Sequence, residues 1–126
     1  MASILSFTNR LFRTRSPDRD ASTDRDRMMN VRAAVVAAIE SATRERDGLK
    51  QRVDDYYAAA SHILDQAEFG ERSARDEQAI VEAERHGSAG LRRIAAINGQ
   101  LKRLNGVLDF VDEQDAGGVL ETVAQA

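Results

Sequence analysis

Apolar residues recur every three or four positions through two long stretches without proline, and this recurrence constrains the fold more than any other feature. The first stretch contains Leu49, Val53, Tyr56, Ala60, Ile63 and Ala67. The second contains Ile80, Ala83, Gly87, Leu91, Ile94, Ile97, Leu101, Leu104, Leu108 and Val111. Such spacing places side chains on one face of an α-helix, and its repetition every seven residues is typical of a coiled-coil seam.

Capping residues predict where each helix begins. Thr23 or Asp24 is the predicted N-cap of a first helix over about 24–68, because both side chains accept hydrogen bonds from the first turn. A second helix is predicted over about 73–113. The residues before the first helix, 1–23, are predicted to form a flexible or amphipathic segment.

Glycine marks the predicted ends of both helices, since it is the usual residue just after a helix. Phe69-Gly70 separates the two stretches, and Gly117-Gly118 follows the second. We therefore predict an all-α fold: a long antiparallel two-helix coiled-coil hairpin over 24–115, with its hinge at 69–72 and a tail over 116–126.

Composition excludes several classes of protein. The net charge of −3 argues against general nucleic-acid binding, which requires a basic excess. The absence of cysteine excludes disulfides and thiolate metal sites. No apolar run approaches the roughly 20 residues of a membrane span. Of 18 basic residues 16 are arginine, and this bias together with abundant alanine indicates a bacterial source. The absence of cysteine favours a reducing compartment, so we expect a cytoplasmic protein that could also associate with a membrane.

The apolar stripe is wider than one partner helix can cover, which predicts a homo-oligomer, with a dimer favoured, and a four-helix bundle. A larger protein assembly and the N-terminal segment folding back are alternatives. The predicted partner-binding residues of the two helices are Val31, Val35, Ile39, Leu91, Ile94, Ile97, Leu101, Leu104, Leu108 and Val111. Folding at Gly70 brings the apolar parts 28–42 and 91–111 together at an open end and leaves a charged hinge end.

Two Asn-Gly pairs, Asn98-Gly99 and Asn105-Gly106, lie seven residues apart within the second stripe. Asn-Gly favours turns, so one interpretation ends the helix at Ile97. The continuing heptad pattern favours an unbroken helix, with both asparagines on the seam as partner-binding residues that fix register. Each glycine would then admit a close neighbour. The alternative is that both pairs lie on the surface.

No constellation for catalysis is present: nucleophile and phosphate-loop motifs are absent. The two histidines, His62 and His86, are predicted to be exposed, with His86 opposite Val53 and His62 opposite Glu77 in the hairpin. The sequence therefore predicts no enzyme, no cofactor and no metal site.

The first residues combine an apolar face with arginines and lack acidic residues before Asp18. The predicted partner-binding residues of this N-terminal peptide are Ile4, Leu5, Phe7, Leu11 and Phe12. Such a peptide suits a partner's groove or an anionic membrane surface. A transit peptide or an inert terminus are the alternatives.

Together these features predict a non-enzymatic structural or adaptor protein that binds protein partners through an oligomeric hairpin and its N-terminal peptide. The alternatives are a peripheral membrane-associated protein anchored by residues 1–15, and a secretion-type chaperone that holds a client helix.

Liposome co-sedimentation distinguishes the membrane alternative. If residues 1–15 anchor the protein, the full chain will sediment with anionic vesicles and a chain lacking these residues will not. Equal sedimentation of the two would remove the alternative.

Overall fold

The computed structural model describes residues 16–67 and 72–125, with side chains described up to Gly117 except at Ala67. Two helices account for nearly all of them: α1 spans Pro17–Ala67 and α2 spans Ala74–Gln125. The two helices pack against each other, which is consistent with a helical hairpin. The all-α prediction is confirmed, whereas coiled-coil supercoiling and oligomerisation stay predictions.

Helix α1 begins earlier than predicted because Ser16 and Pro17 form its start. The Arg19 amide donates to Ser16 Oγ at 3.2 Å, and the Asp20 amide donates to the Ser16 carbonyl at 3.0 Å. Proline suits the first helical position, where its missing N–H has no helical partner. The predicted cap at Thr23 or Asp24 is therefore wrong. Thr23 lies within the helix and donates its hydroxyl to the Arg19 carbonyl at 2.9 Å.

Helix α2 begins with a serine cap, as α1 does, and ends later than predicted. The Asp76 amide donates to Ser73 Oγ at 3.1 Å, so Ser73 is its N-cap. The helix continues through both Asn-Gly pairs, which confirms the unbroken interpretation, and through Gly117-Gly118 to Gln125. The predicted end near 113 and the tail over 116–126 are wrong, because glycine lowers helix propensity without preventing helix formation. Phe69 and Gly70 lie outside the described residues.

The chain divides into two compact units, 35–110 and 1–34 with 111–126, and each contains a segment of both helices. The larger unit holds most of the core. Its buried hydrophobic side chains are Val53, Ala60, Ile80, Ala83, Ile94, Ile97 and Leu101. All lie at the predicted seam positions, and Ile97 alone among the described residues is fully enclosed. The core of this unit is thus a single narrow seam.

Two glycines of α2 admit side chains of α1 at close range. A Cβ on Gly90 would lie 2.5 Å from Val53 Cγ2, and one on Gly87 would lie 2.8 Å from Tyr57 Cζ. Residue numbers fall on α1 as they rise on α2 through these contacts. Gly90 therefore occupies the seam where the sequence predicted Leu91, because the 3-4 spacing continues from Gly87 through Gly90 to Ile94.

These contacts also correct the predicted register. Val53 faces Gly90, and the ring of His86 stacks on Tyr56 with centroids 5.3 Å apart. The prediction that His86 lies opposite Val53 is wrong by about one helical turn. The predicted register assumed that the two helices pair symmetrically about Gly70. The observed register differs because Gly87 and Gly90 have no side chains, so Tyr57 and Val53 of α1 pack closely against them.

The smaller unit is joined by an ion pair between its two helical segments. Arg32 Nε donates to Asp112 Oδ1 at 2.9 Å, and both side chains are about half exposed. The hydrogen bond, and next the charge of Asp112, raise the pKa of the Arg32 guanidinium above its ordinary value. In this unit Val111 is buried, while Met29 is 66% exposed.

A pair of glycine substitutions tests the close packing. Gly90→Ala places a methyl group against the buried, β-branched Val53, so we expect the free energy of unfolding to fall by about 1–3 kcal/mol. Gly106 has no neighbour within 4 Å of its would-be Cβ. Gly106→Ala should therefore raise the free energy of unfolding by up to about 1 kcal/mol through helix propensity. Urea unfolding measures both, and equal effects would contradict this packing.

Candidate protein-binding surface

One side of the seam in the larger unit is closed by polar contacts. Arg93 donates to both carboxylate oxygens of Glu45, at 2.9 and 3.1 Å. On the same side His86 stacks on Tyr56. We call this side, defined by Glu45, Tyr56, His86 and Arg93, the ionic flank. Exposed ion pairs stabilise by less than about 1 kcal/mol, so the ionic flank directs packing more than it stabilises the unit.

The opposite side of the seam carries exposed apolar side chains. Tyr57 reaches Gly87 from this side, and Leu64 lies seven residues further along the same face of α1. Leu91 lies one helical turn beyond Gly87, and Val81 extends the surface outward on α2. We call Tyr57, Leu64, Val81 and Leu91 the apolar flank. Each of the four is between 39% and 52% exposed.

The predicted partner-binding residues divide into three groups in the structure. Four are buried within the chain and serve its own packing: Ile94, Ile97, Leu101 and Val111. Another four are half-buried on or beside the seam: Val35, Ile39, Leu104 and Leu108. Exposed on the surface are Val31, Leu91, Asn98 and Asn105. The remaining five, Ile4, Leu5, Phe7, Leu11 and Phe12, lie outside the described residues.

The placement of Asn98 and Asn105 on the seam is wrong. Ile97 and Leu104 hold the seam positions, and each asparagine follows by one residue, which turns it about 100° away. Gly106 has open space around its would-be Cβ, and Gly99 meets only Arg103 Nη1 at 3.7 Å. The close approach expected at these glycines occurs instead at Gly87 and Gly90.

Exposed apolar residues are not confined to the predicted open end. Tyr57, Leu64 and Val81 are exposed although they lie in or near the segments predicted to form the charged hinge end. Most of the charged residues there are exposed, although Arg46 and Asp76 are half-buried. Val107 and Phe110 are also exposed, on the side of α2 away from the apolar flank.

The described residues also contain a shallow surface depression and two separate histidines. An open depression on the ionic flank is lined by Ala38, Ser41, Ala42, Glu45, Arg93, Gln100 and Leu104. His62 and His86 are both exposed, as predicted. Within residues 16–67 and 72–125 no three metal-ligating side chains converge. Neither described helix has an apolar stretch long enough to cross a membrane.

Comparison of the chain with protein-family models, curated proteins and solved structures found no match.

The sequence pattern did not predict the apolar flank, because the residues of this flank are spread over both helices. The sequence predicts Leu91 on the seam, and Tyr57 lies directly after the predicted seam residue Tyr56. A signal was nonetheless present. Tyr57 and Leu64 lie seven residues apart, immediately after the seam positions Tyr56 and Ile63, and so form their own stripe.

Truncating one buried and one exposed residue tests the division between core and surface. Ile97→Ala should lower the free energy of unfolding by about 2–5 kcal/mol, because it leaves a cavity in a fully enclosed site. Leu91→Ala should change it by less than about 0.5 kcal/mol, because that side chain is half exposed. Chemical denaturation of the two variants at one low concentration measures both values; similar losses would contradict the assignment of Leu91 to the surface.

Proposed function

We propose that this chain is a non-enzymatic structural or adaptor protein that binds protein partners as an oligomeric, antiparallel coiled-coil hairpin. The observation that carries the proposal is the apolar flank beside a thin core. Tyr57, Leu64, Val81 and Leu91 keep apolar surface in water, where burial would stabilise a complex by about 25 cal/mol per Å².

The small core also supports association with a partner, because a single hairpin buries little apolar surface. Only eight described apolar residues are buried, and five of the predicted seam residues are only half-buried: Leu49, Tyr56, Ile63, Leu104 and Leu108. A narrow seam between two helices leaves much of the surface of each helix exposed to solvent. Two-helix units commonly gain stability by association. Pairing of two hairpins into a four-helix bundle would cover the flank.

The N-terminal peptide completes the proposal as a second contact with protein partners. Its support is the sequence alone, in which Ile4, Phe7 and Leu11 share one helical face with arginines nearby. We place the protein in the bacterial cytoplasm on the grounds of composition. A client-holding chaperone would use the same apolar flank without a second copy.

Substitutions on the two sides of the seam test the proposal. The unaltered chain is expected to be a dimer by sedimentation equilibrium. Leu64→Ser with Leu91→Ser should weaken the dimer by about 10- to 100-fold in Kd, because both substitutions remove apolar contact area.

The matched control changes Val107→Ser and Phe110→Ser, which are 47% and 61% exposed, against 44% and 49% for Leu64 and Leu91, but lie away from the apolar flank. These substitutions should leave the dimer unchanged. A chain that remains monomeric at the highest attainable concentration would refute the oligomer and favour the client-holding alternative.

A further inference from the structure

The side of α2 that faces away from the seam is basic over 85–106. In a 3-4 repeat the seam takes two of every seven positions, and the three positions farthest from it face outward. From Arg85 to Gly106 these outward positions hold four basic residues, and every other one holds alanine, glycine or serine. We call the four basic residues the basic back: Arg85, Arg92, Lys102 and Arg103. All four are exposed.

The positive charges of the basic back have no ion-pair partner among the described residues. Arg92 donates to Ser88 Oγ at 3.2 Å, which holds its side chain along the helix without neutralising it. Arg103 lies over Gly99, since its Nη1 is 3.7 Å from the Cβ that an alanine would place there. Because only small residues lie beside them, these arginines form a low surface that another helix can approach closely.

The outward side of α1 in the same unit is acidic. From Glu40 to Asp55 its outward positions hold four acidic residues, against Arg44 as the single basic one. We call the four acidic residues the acidic back: Glu40, Asp47, Asp54 and Asp55. All four are exposed. Within the part of the chain that the structure describes, only Asp47 of the four forms an ion pair, with Arg46 at 3.2 Å.

The charges of the two backs have matching spacings along their helices. At about 1.5 Å per residue, Glu40 lies about 22 Å along α1 from the pair Asp54-Asp55. On α2 the pair Lys102-Arg103 lies about 21 Å from the midpoint between Arg85 and Arg92. A face with the spacing of the acidic back therefore fits a face with the spacing of the basic back.

The two backs also lie at the same height within the larger unit. Glu40 precedes Val53 by 13 residues, Arg103 follows Gly90 by 13 residues, and Val53 contacts Gly90. Glu40 and Arg103 are therefore level. By the same count Asp54 lies at a height between the first two arginines of the basic back. Since each back faces away from the seam, the two backs point in opposite directions, and only another copy can bring them together.

We propose that copies of this chain associate side by side through a second surface, with the acidic back of one copy against the basic back of the next. This contact goes beyond the proposed function, because it uses neither the apolar flank nor the N-terminal peptide. One copy contributes α1 and its neighbour contributes α2, so each pair keeps a free back at either end and the contact can repeat as an open array. Placing two acidic backs or two basic backs together would oppose like charges, which disfavours those pairings.

The contact consists of several exposed ion pairs. Glu40 of one copy meets Lys102 and Arg103 of the next, while Asp54 and Asp55 enter between the other two arginines. Each exposed pair is weak, so association depends on several pairs acting together. Salt screens such charges, and the association is therefore expected to be strongest at low ionic strength.

Sedimentation at two salt concentrations tests the association. The full chain is measured with Leu64→Ser and Leu91→Ser, which remove the dimer expected at the apolar flank. At about 10 mM salt the weight-average mass should rise with protein concentration beyond that of a dimer, and about 500 mM salt should reverse the rise, because screening is strong there.

Complementary charge reversal tests which surfaces meet. One variant in this background carries Asp54→Lys with Asp55→Lys, and the other carries Arg85→Glu with Arg92→Glu. Each alone places like charges together and should associate at least about tenfold more weakly in Kd. In an equimolar mixture the altered backs meet each other and the unaltered backs meet each other, so opposite signs return at every contact. The mixture should return to within about threefold of the Kd before reversal.

Lys50→Glu with Arg52→Glu supplies the matched control. It makes the same change of charge as Arg85→Glu with Arg92→Glu, on exposed residues that lie beside the seam and outside both backs. This control should not weaken the association. Circular dichroism verifies that every variant keeps its helices.

The outcomes decide this proposal independently of the dimer at the apolar flank. A mixture no larger than its two components would overturn it. Growth that stops at a dimer would contradict it as well, because the contact leaves free backs that continue to bind. A chain that stays monomeric at low salt but binds a DNA duplex through Arg85 and Arg92 would assign the basic back to a nucleic acid instead.

Discussion

Val53 occupies the space that a side chain on Gly90 would fill, and the rest of the larger unit depends on this contact. Because valine is β-branched and buried here, it has little freedom to move aside, so the helices are held at one register. Tyr57 against Gly87 repeats the arrangement one turn away. Once these two pairs are in place, Ile94, Ile97 and Leu101 fall on the seam, and the polar contacts of the ionic flank can form.

The same close approach determines what remains exposed. A seam built partly from glycine and alanine brings the backbones together but covers little side-chain area. Large residues one position away from the seam, such as Tyr57, Leu64 and Leu91, are then only half covered. The apolar flank is thus a consequence of how the core is packed. Burial of this flank by a second copy would complete a core that one chain leaves thin.

The proposed function depends on the two flanks of the seam. The ionic flank has satisfied its charges within the chain through Glu45 and Arg93. The apolar flank keeps Tyr57, Leu64, Val81 and Leu91 partly in water, and burial of that area would supply affinity for a partner.

The sequence by itself determined the helices and most of the seam, because a 3-4 apolar spacing has only one face on which to be buried. It did not determine the bounds: Ser16 and Pro17 start α1 earlier, and glycine near 117 does not end α2. Tertiary structure alone decided the register, the exposure of Asn98 and Leu91, and hence the apolar flank. Those depend on how closely two helices approach, and that distance is set by the shapes of residues far apart in the chain.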